Sequence, residues 1–262
     1  MRPFHLIYRF MKASFQEEAA YRVNFYIRLL HSLLNLLVGV VGVGVLFYQV
    51  QSLQGWSYSQ AMALLGVYLL IGSLRGLFIG PSLESLAGLG REIWTGNFDF
   101  TLLRPVDTQF LVTFRQWRFF ALVDLILGIG VITSSFMSST PPGLLDVVAF
   151  LFALAAGTAV LYAILLIFTS LVFWGPGFLF TWVFDALFQL ARYPVGIYPP
   201  WLRFILTWLI PVGMMTTIPA EFLTGSGSLL LLGSSLLTSG LLVLAASLIF
   251  HRALRRYTSA SS

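Results

Sequence analysis

The sequence predicts an all-α polytopic membrane protein: a single transmembrane domain over residues 1–262, with six transmembrane helices. Three observations lead there. First, the chain is 58% hydrophobic and only 10% charged, where a soluble domain carries about 25% charged residues, and its mean hydropathy is +0.89. Second, uncharged apolar runs of bilayer-crossing length recur along it. Third, its basic residues fall between those runs in a one-sided pattern.

Residues 3–22 are interrupted by Arg9, Lys12, Glu17 and Glu18. This excludes the apolar core of a cleavable signal and predicts an amphipathic helix lying on the membrane surface. Spans one and two follow at residues 29–50 and 61–74, the second extendable past Arg75 to Ile79. Gly72, Gly76 and Gly80 recur every four residues there, which predicts a face for close helix packing or a hinge. Span three covers residues 116–136, with Arg118 near its start and Asp124 inside it. Span four covers residues 144–173. A Gly-Pro turn at residues 174–177 separates it from span five, which runs to about Tyr193. Span six, residues 229–250, ends in His251, Arg252, Arg255 and Arg256.

Between spans five and six lies a stretch too apolar for a loop and too broken for a span. Pro200 and Pro211 bracket ten residues, about 15 Å of helix against roughly 30 Å of hydrocarbon. Residues 194–222 are therefore expected to enter the membrane and turn back. Such backbone survives at depth where protein or a water-filled cavity satisfies its polar groups.

Lys and Arg accumulate on cytoplasmic segments. Five basic residues lie in the N-terminal stretch, five more between spans two and three (Arg75, Arg91, Arg104, Arg115, Arg118), and three at the C-terminus. Only Arg192 and Arg203 fall on the other side, where loops 51–57 and 134–143 carry no charge. Both termini are thus expected in the cytoplasm and the broken segment outside. The net charge of +5 is spread between spans rather than gathered on a soluble face, which argues against nucleic acid as a partner and leaves membrane lipid.

The cytoplasmic stretch 81–107 carries Glu84, Leu86, Leu89, Arg91, Glu92, Ile93 and Trp94. Helical spacing puts Leu86, Leu89 and Ile93 on one face, suited to a partner's groove or to a passive position on headgroups. Ionisable residues inside spans each cost at least about 2.5 kcal/mol at the bilayer centre unless paired or hydrated, which singles out Asp124 and Asp185. Asp185, Gln189 and Arg192 follow at spacings of four and three, one stripe of span five, fit either for lining a path or for interhelical bonding. In the broken segment Tyr193, Pro194, Tyr198, Pro199, Pro200, Trp201, Arg203, Pro211 and Glu221 are candidates for an external gate. The aromatic residues among them serve equally as interfacial anchors.

With no Cys and three isolated histidines, thiolate and clustered His metal sites are not expected. There is no phosphate-binding Gly-x-x-x-x-Gly-Lys-Ser/Thr loop and no convincing Ser-His-Asp set, so no cofactor and no catalytic residue is expected in this chain.

This layout resembles the ABC-2 type permeases of ABC transporters. Gly96-Asn-Phe-Asp99-Phe-Thr-Leu-Leu-Arg104-Pro105-Val106 looks like the motif after that family's coupling helix. Arg192-Tyr-Pro-Val-Gly-Ile-Tyr-Pro-Pro-Trp-Leu-Arg203, with Ile210-Pro-Val and Ile218-Pro-Ala downstream, looks like the external hairpin of one bacterial branch. The resemblance implies a permease subunit in a bacterial plasma (inner) membrane, paired with a second permease as homo- or heterodimer. It also implies two copies of a separate ATPase subunit that binds ATP and Mg, contacts at residues 84–94, and export as the direction. The rival class is an ATPase-independent secondary transporter or channel that uses the broken hairpin as its binding element.

Overall fold

The structure is a computed structural model and describes residues 3–20, 22–48, 50–87, 92–138, 141–174 and 180–257. Among these residues the chain is helical, apart from turns and a β-bridge between Leu53 and Trp56.

Helix α1 (Pro3–Ala20) leads into α2 (Arg22–Phe47). A tight turn follows, with Gln54 and Gly55 both at positive φ. Helix α3 (Tyr58–Leu74) begins with a capping box: the Ser57 N–H donates to Gln60 Oε1 (2.9 Å) and the Gln60 N–H to Ser57 Oγ (3.4 Å). It is apolar all round and buried along most of its length, as a helix enclosed by others must be. A π-helical turn, Arg75–Ile79, joins it without a break to α4 (Gly80–Ala87). Helices α5 (Glu92–Thr95), α6 (Asn97–Leu102) and α7 (Thr108–Phe114) are short. Gly96 starts α6 from the left-handed region (φ +73°), which a side chain would disfavour.

Helix α8 (Ala121–Ser135) packs on α3, and α9 (Leu144–Leu171) is the central post against which α14 (Leu229–Leu254) lies. Between them come α10 (Phe180–Gln189), 3-10 turns at Leu190–Arg192 and Val195–Ile197, α11 (Pro200–Phe204) with a π-turn Ile205–Leu209, α12 (Val212–Met215) and α13 (Thr217–Leu223). The core runs through α3, α9 and the inner face of α12 and α13, with Leu64, Val160, Leu161, Leu166, Val212 and Met215 fully buried.

Four helices among the described residues are long and apolar enough to cross a membrane: Val23–Phe47, Tyr58–Leu86, Leu144–Leu171 and Leu229–Leu254. The chain is a multi-pass membrane protein. A bent pair, Pro200–Leu209 with Val212–Leu223, meets at 62° around Pro211. Among the described residues the helices at the expected third and fifth spans are shorter than a crossing. Helix α8 has 15 residues, about 22 Å, and α10 has ten before its 3-10 turn.

The residues just ahead of α8 are bonded to other elements. Residues 116–119 spend their N–H groups elsewhere: Gln116 on Ser82 Oγ (2.7 Å), Trp117 on Ser14 Oγ (3.1 Å), Arg118 on the Leu77 carbonyl (2.9 Å) and Phe119 on Glu18 Oε2 (2.8 Å). They are tied to α1, α4 and the π-turn, and the regular helix starts only at Ala121. Asp124 therefore sits in the first turn of α8, not deep inside a span. The Gly-Pro turn at 175–177 and the start of span five at Phe178 lie outside the described residues.

The molecule divides by end. At one end α1, the stretch 80–118 and the last turns of α14 meet: Ser247 Oγ donates to Gln109 Oε1 (2.7 Å), and the Tyr257 ring packs edge-on against Phe98 (5.2 Å). At the other end the 53–56 turn meets the broken segment, where Glu221 shares a cavity with Gln54, Trp56 and Gln60.

Candidate translocation cavity and coupling end

A π-turn adds a residue to a helical turn and re-aims the residues beyond it. Here Arg75 stands at its first position, within an otherwise apolar helix. Its Nη2 lies 2.5 Å from Asp185 Oδ1 on α10 and 3.1 Å from Glu84 Oε1 on α4, while Glu84 Oε2 reaches Arg118 (3.3 Å). Two carboxylates and two guanidiniums thus neutralise one another.

From Arg75 an aromatic ladder runs through the bundle. The Arg75 guanidinium covers the Phe184 ring at 5.1 Å; Phe184 stacks on Phe188 (5.7 Å), Phe188 on Tyr68 (5.1 Å), and Arg192 covers Tyr68 at 5.3 Å. Arg192 donates to Asn35 Oδ1 at 2.8 Å. Asn35 is thirteen residues into the 26-residue α2, about 20 Å along it, so Arg192 sits halfway along that helix rather than at its outer end.

Asp185, Gln189, Arg192, Arg75, Tyr68 and Asn35 line one open cavity of about 460 Å³. The structure thus brings together three of the four predicted path residues. Asp124 does not share this cavity, and its Oδ1 is buried without a hydrogen-bond partner. Sequence reasoning missed Arg75, Asn35 and Tyr68. Arg75 carried a signal, a cation within an apolar run whose partner had to be an intramembrane acid; Tyr68 carried none.

The coupling stretch differs from the free amphipathic helix expected at residues 84–94. Glu84 and Leu86 belong to α4, which continues α3, and Leu86 and Ile93 are buried in the chain's own core. They are not surface knobs: α4 packs on α7 and α9, and α5 on α4 and α6, so the apolar face that would suit a partner's groove is taken within the chain. Leu89 and Arg91, and the side chain of Trp94, lie outside the described residues. Glu92 instead holds the stretch together through Arg115, whose guanidinium reaches Glu92 Oε1 (2.5 Å), Ser85 Oγ (3.0 Å) and Thr101 Oγ1 (3.1 Å). Exposed apolar residues at this end include Phe100 (67%) within α6 and Leu103 (80%) just after it, besides Phe4, Tyr8 and Phe15 of α1. Beside Arg118, burial pushes the Glu18 carboxyl of α1 above its ordinary value, against the opposing pull of the Phe119 N–H, Arg28 and Arg118.

In the broken segment, Thr216 Oγ1 donates to the buried Ala191 carbonyl (2.9 Å). Gly157, halfway along α9, lets the Met214 and Met215 backbone approach: a Cβ there would lie 2.8 Å from the Met215 oxygen. The proposed gate residues split into separate groups. Tyr198 donates to the Leu190 carbonyl (2.8 Å), and the Tyr193 hydroxyl fills the space left by Gly42. Arg203, between Pro200 and the π-turn, folds back on the Gly196 and Tyr198 carbonyls. Pro194 and Pro199 each precede a helical turn, Pro200 opens α11 and Trp201 points outward. Glu221 is in the other cavity, with the 53–56 turn. Arg203 and Glu221 do not come together.

A family model described as ABC-2 family transporter protein matches residues 33–261. The chain belongs to the ABC-2 transporter family. No curated protein and no solved structure matches it. As an ABC-2 family protein it is a membrane-spanning transport permease, not itself a catalyst. The matched stretch contains every element of the cavity and of the coupling end except α1 and the start of α2.

Proposed function

We propose that this chain is the permease subunit of an ATP-driven exporter in a bacterial inner membrane. Two such permeases, identical or not, enclose a path between them, and two copies of a separate ATPase bind ATP and Mg. The observation that carries this reading is the division of the molecule by end. In sequence, thirteen of the fifteen basic residues precede span one, fall between spans two and three or follow span six, and α1, the described residues of 80–118 and the last turns of α14 come together at one end, which supports a cytoplasmic assignment of that end. The segment 194–222 then faces outside as a re-entrant hairpin: its arms start and finish at the level of the 53–56 turn, and its bend at Pro211 rests halfway along α9.

Coupling follows from rigidity. ATPase closure pressing on α5 and α6 is passed through Arg115 and α4 into α3, because α3, the π-turn and α4 are one 29-residue helix. The docking surface is Phe100 and Leu103 rather than Leu86 and Ile93. Movement of α3 shifts Arg75 against Asp185 and so acts on the cavity wall.

The test is to co-express the chain with candidate ATPase subunits and measure co-purification and ATP-dependent transport in inverted vesicles. Phe100→Asp with Leu103→Asp is expected to abolish both while membrane insertion stays normal. Transport that persists without any ATPase would overturn the reading in favour of a secondary transporter.

A further inference from the structure

The cavity beside the aromatic ladder is electrostatically incomplete. Four ionisable groups line it: His31, Arg75, Asp185 and Arg192. Asp185 is engaged by Arg75, which also holds Glu84. Among the described residues Arg192 has no carboxylate partner; it has the Asn35 amide oxygen, the Tyr68 ring face and a buried Nε without a hydrogen-bond acceptor. A guanidinium halfway along a membrane helix is retained only where something anionic or aqueous meets it. Besides the Gln189 amide, the rest of the wall is apolar, formed by Leu34 and Val38 of α2 and by Phe188.

We propose that this cavity binds an anionic amphiphile, a carboxylate or phosphate head on an apolar body, with the head on Arg192 and the body along Leu34, Val38 and Phe188. This rests on the reading of the cavity as part of the path and names its substrate class. The planar fork of Arg192 suits a two-oxygen acceptor. It also reverses the charge preference that Asp185 suggests alone, because Arg75 cancels Asp185 and leaves the cavity net positive.

The experiment uses the full chain in phosphatidylcholine nanodiscs, with a dansyl-labelled undecanoate as fluorescent reporter. Competition by decanoate, decyl phosphate, decanol and decyltrimethylammonium is measured, and no ATPase is present, so failure here is distinct from failure of the exporter reading. The two anions are expected to compete roughly ten- to a hundredfold better than the neutral and cationic analogues, the range of a charge-assisted bond. Arg192→Gln is expected to erase that preference and Arg192→Lys to keep part of it. Because Arg192→Gln can fail to fold, Asn35→Asp is the second variant: it places a carboxylate against Arg192 inside the fold, and is expected to remove anion binding without lowering the melting temperature. Discs doped with phosphatidylglycerol separate the sources: competition there assigns the site to a lipid head, and its absence assigns it to a free cargo. Equal binding of anion, alcohol and cation by the wild type, or undiminished anion binding by a folded Asn35→Asp, overturns the proposal.

Discussion

Arg75 and Asp185, 110 positions apart in sequence, lie 2.5 Å from each other and tie the π-turn of α3 to α10. The pair is asymmetric, since Arg75 also holds Glu84 whereas Asp185 has no other cation among the described residues. Removing Arg75 leaves two carboxylates without it; removing Asp185 leaves Arg75 still paired. Arg75→Gln is therefore expected to destabilise by about 2 kcal/mol, less than for a fully buried pair because the Asp185 side chain is partly exposed, and Asp185→Asn by about 1 kcal/mol. Thermal unfolding of the detergent-solubilised protein measures both, and equal losses would contradict the asymmetry.

Arg115 joins three segments through Glu92, Ser85 and Thr101. Arg115→Leu is expected to cost about 2–3 kcal/mol, concentrated locally. Hydrogen exchange should accelerate over residues 92–104 and not over α9, and ATPase co-purification should fall with membrane insertion intact. Uniform acceleration across the bundle would mean that Arg115 stabilises the whole fold instead.

Helix crossings give a sharper test of packing. A Cβ on Gly66 would lie 2.9 Å from the Gly128 oxygen, and one on Gly128 would lie 3.0 Å from the Gly66 oxygen, so α3 and α8 touch backbone to backbone. Gly128→Ala is expected to destabilise by about 1–3 kcal/mol, while Gly130→Ala, with nothing within 4 Å, is expected to be neutral or slightly stabilising. Of the Gly72, Gly76, Gly80 series, Gly76 meets another helix tightly, with a Cβ placed 3.2 Å from that of Ala121, so Gly76→Ala should fall between the two. Melting temperatures of the three variants rank them.

Tyr257 supplies a pH-dependent contact at the end where α6 meets the last turns of α14. Burial, with the Asp99 carboxylate beside it, pushes its phenol up to about 12 from an ordinary value of 10. The folded state therefore keeps a proton that the unfolded state loses first, so the stabilisation is complete below pH 10 and is lost as pH rises to about 12. Stability measured across that window should fall in the wild type and fall less in Tyr257→Phe, which keeps the ring packing on Phe98 and Phe173.

Much of this architecture was legible beforehand. The four long helices are apolar runs with a length requirement, and both properties are local. The stripe Asp185, Gln189, Arg192 was legible because helical periodicity alone puts those residues on one side. The destinations of backbone N–H groups escaped: residues 116–119 read as the start of a span, but Ser82, Ser14 and Glu18 claim their donors from distant positions. Leu86 and Ile93 show the same limit, since an amphipathic face is equally suited to a partner and to the chain's own core.

By itself the sequence determined that this chain lies in a membrane, roughly which runs form the long helices, and that the stretch around Pro200 and Pro211 is broken, because hydropathy, length and proline act within a few residues. Tertiary structure alone decided which charges cancel. It set Asp185 against Arg75 and left Arg192 facing Asn35 and Tyr68, because Coulomb attraction depends on separations of a few ångströms that helix packing, not sequence spacing, brings about.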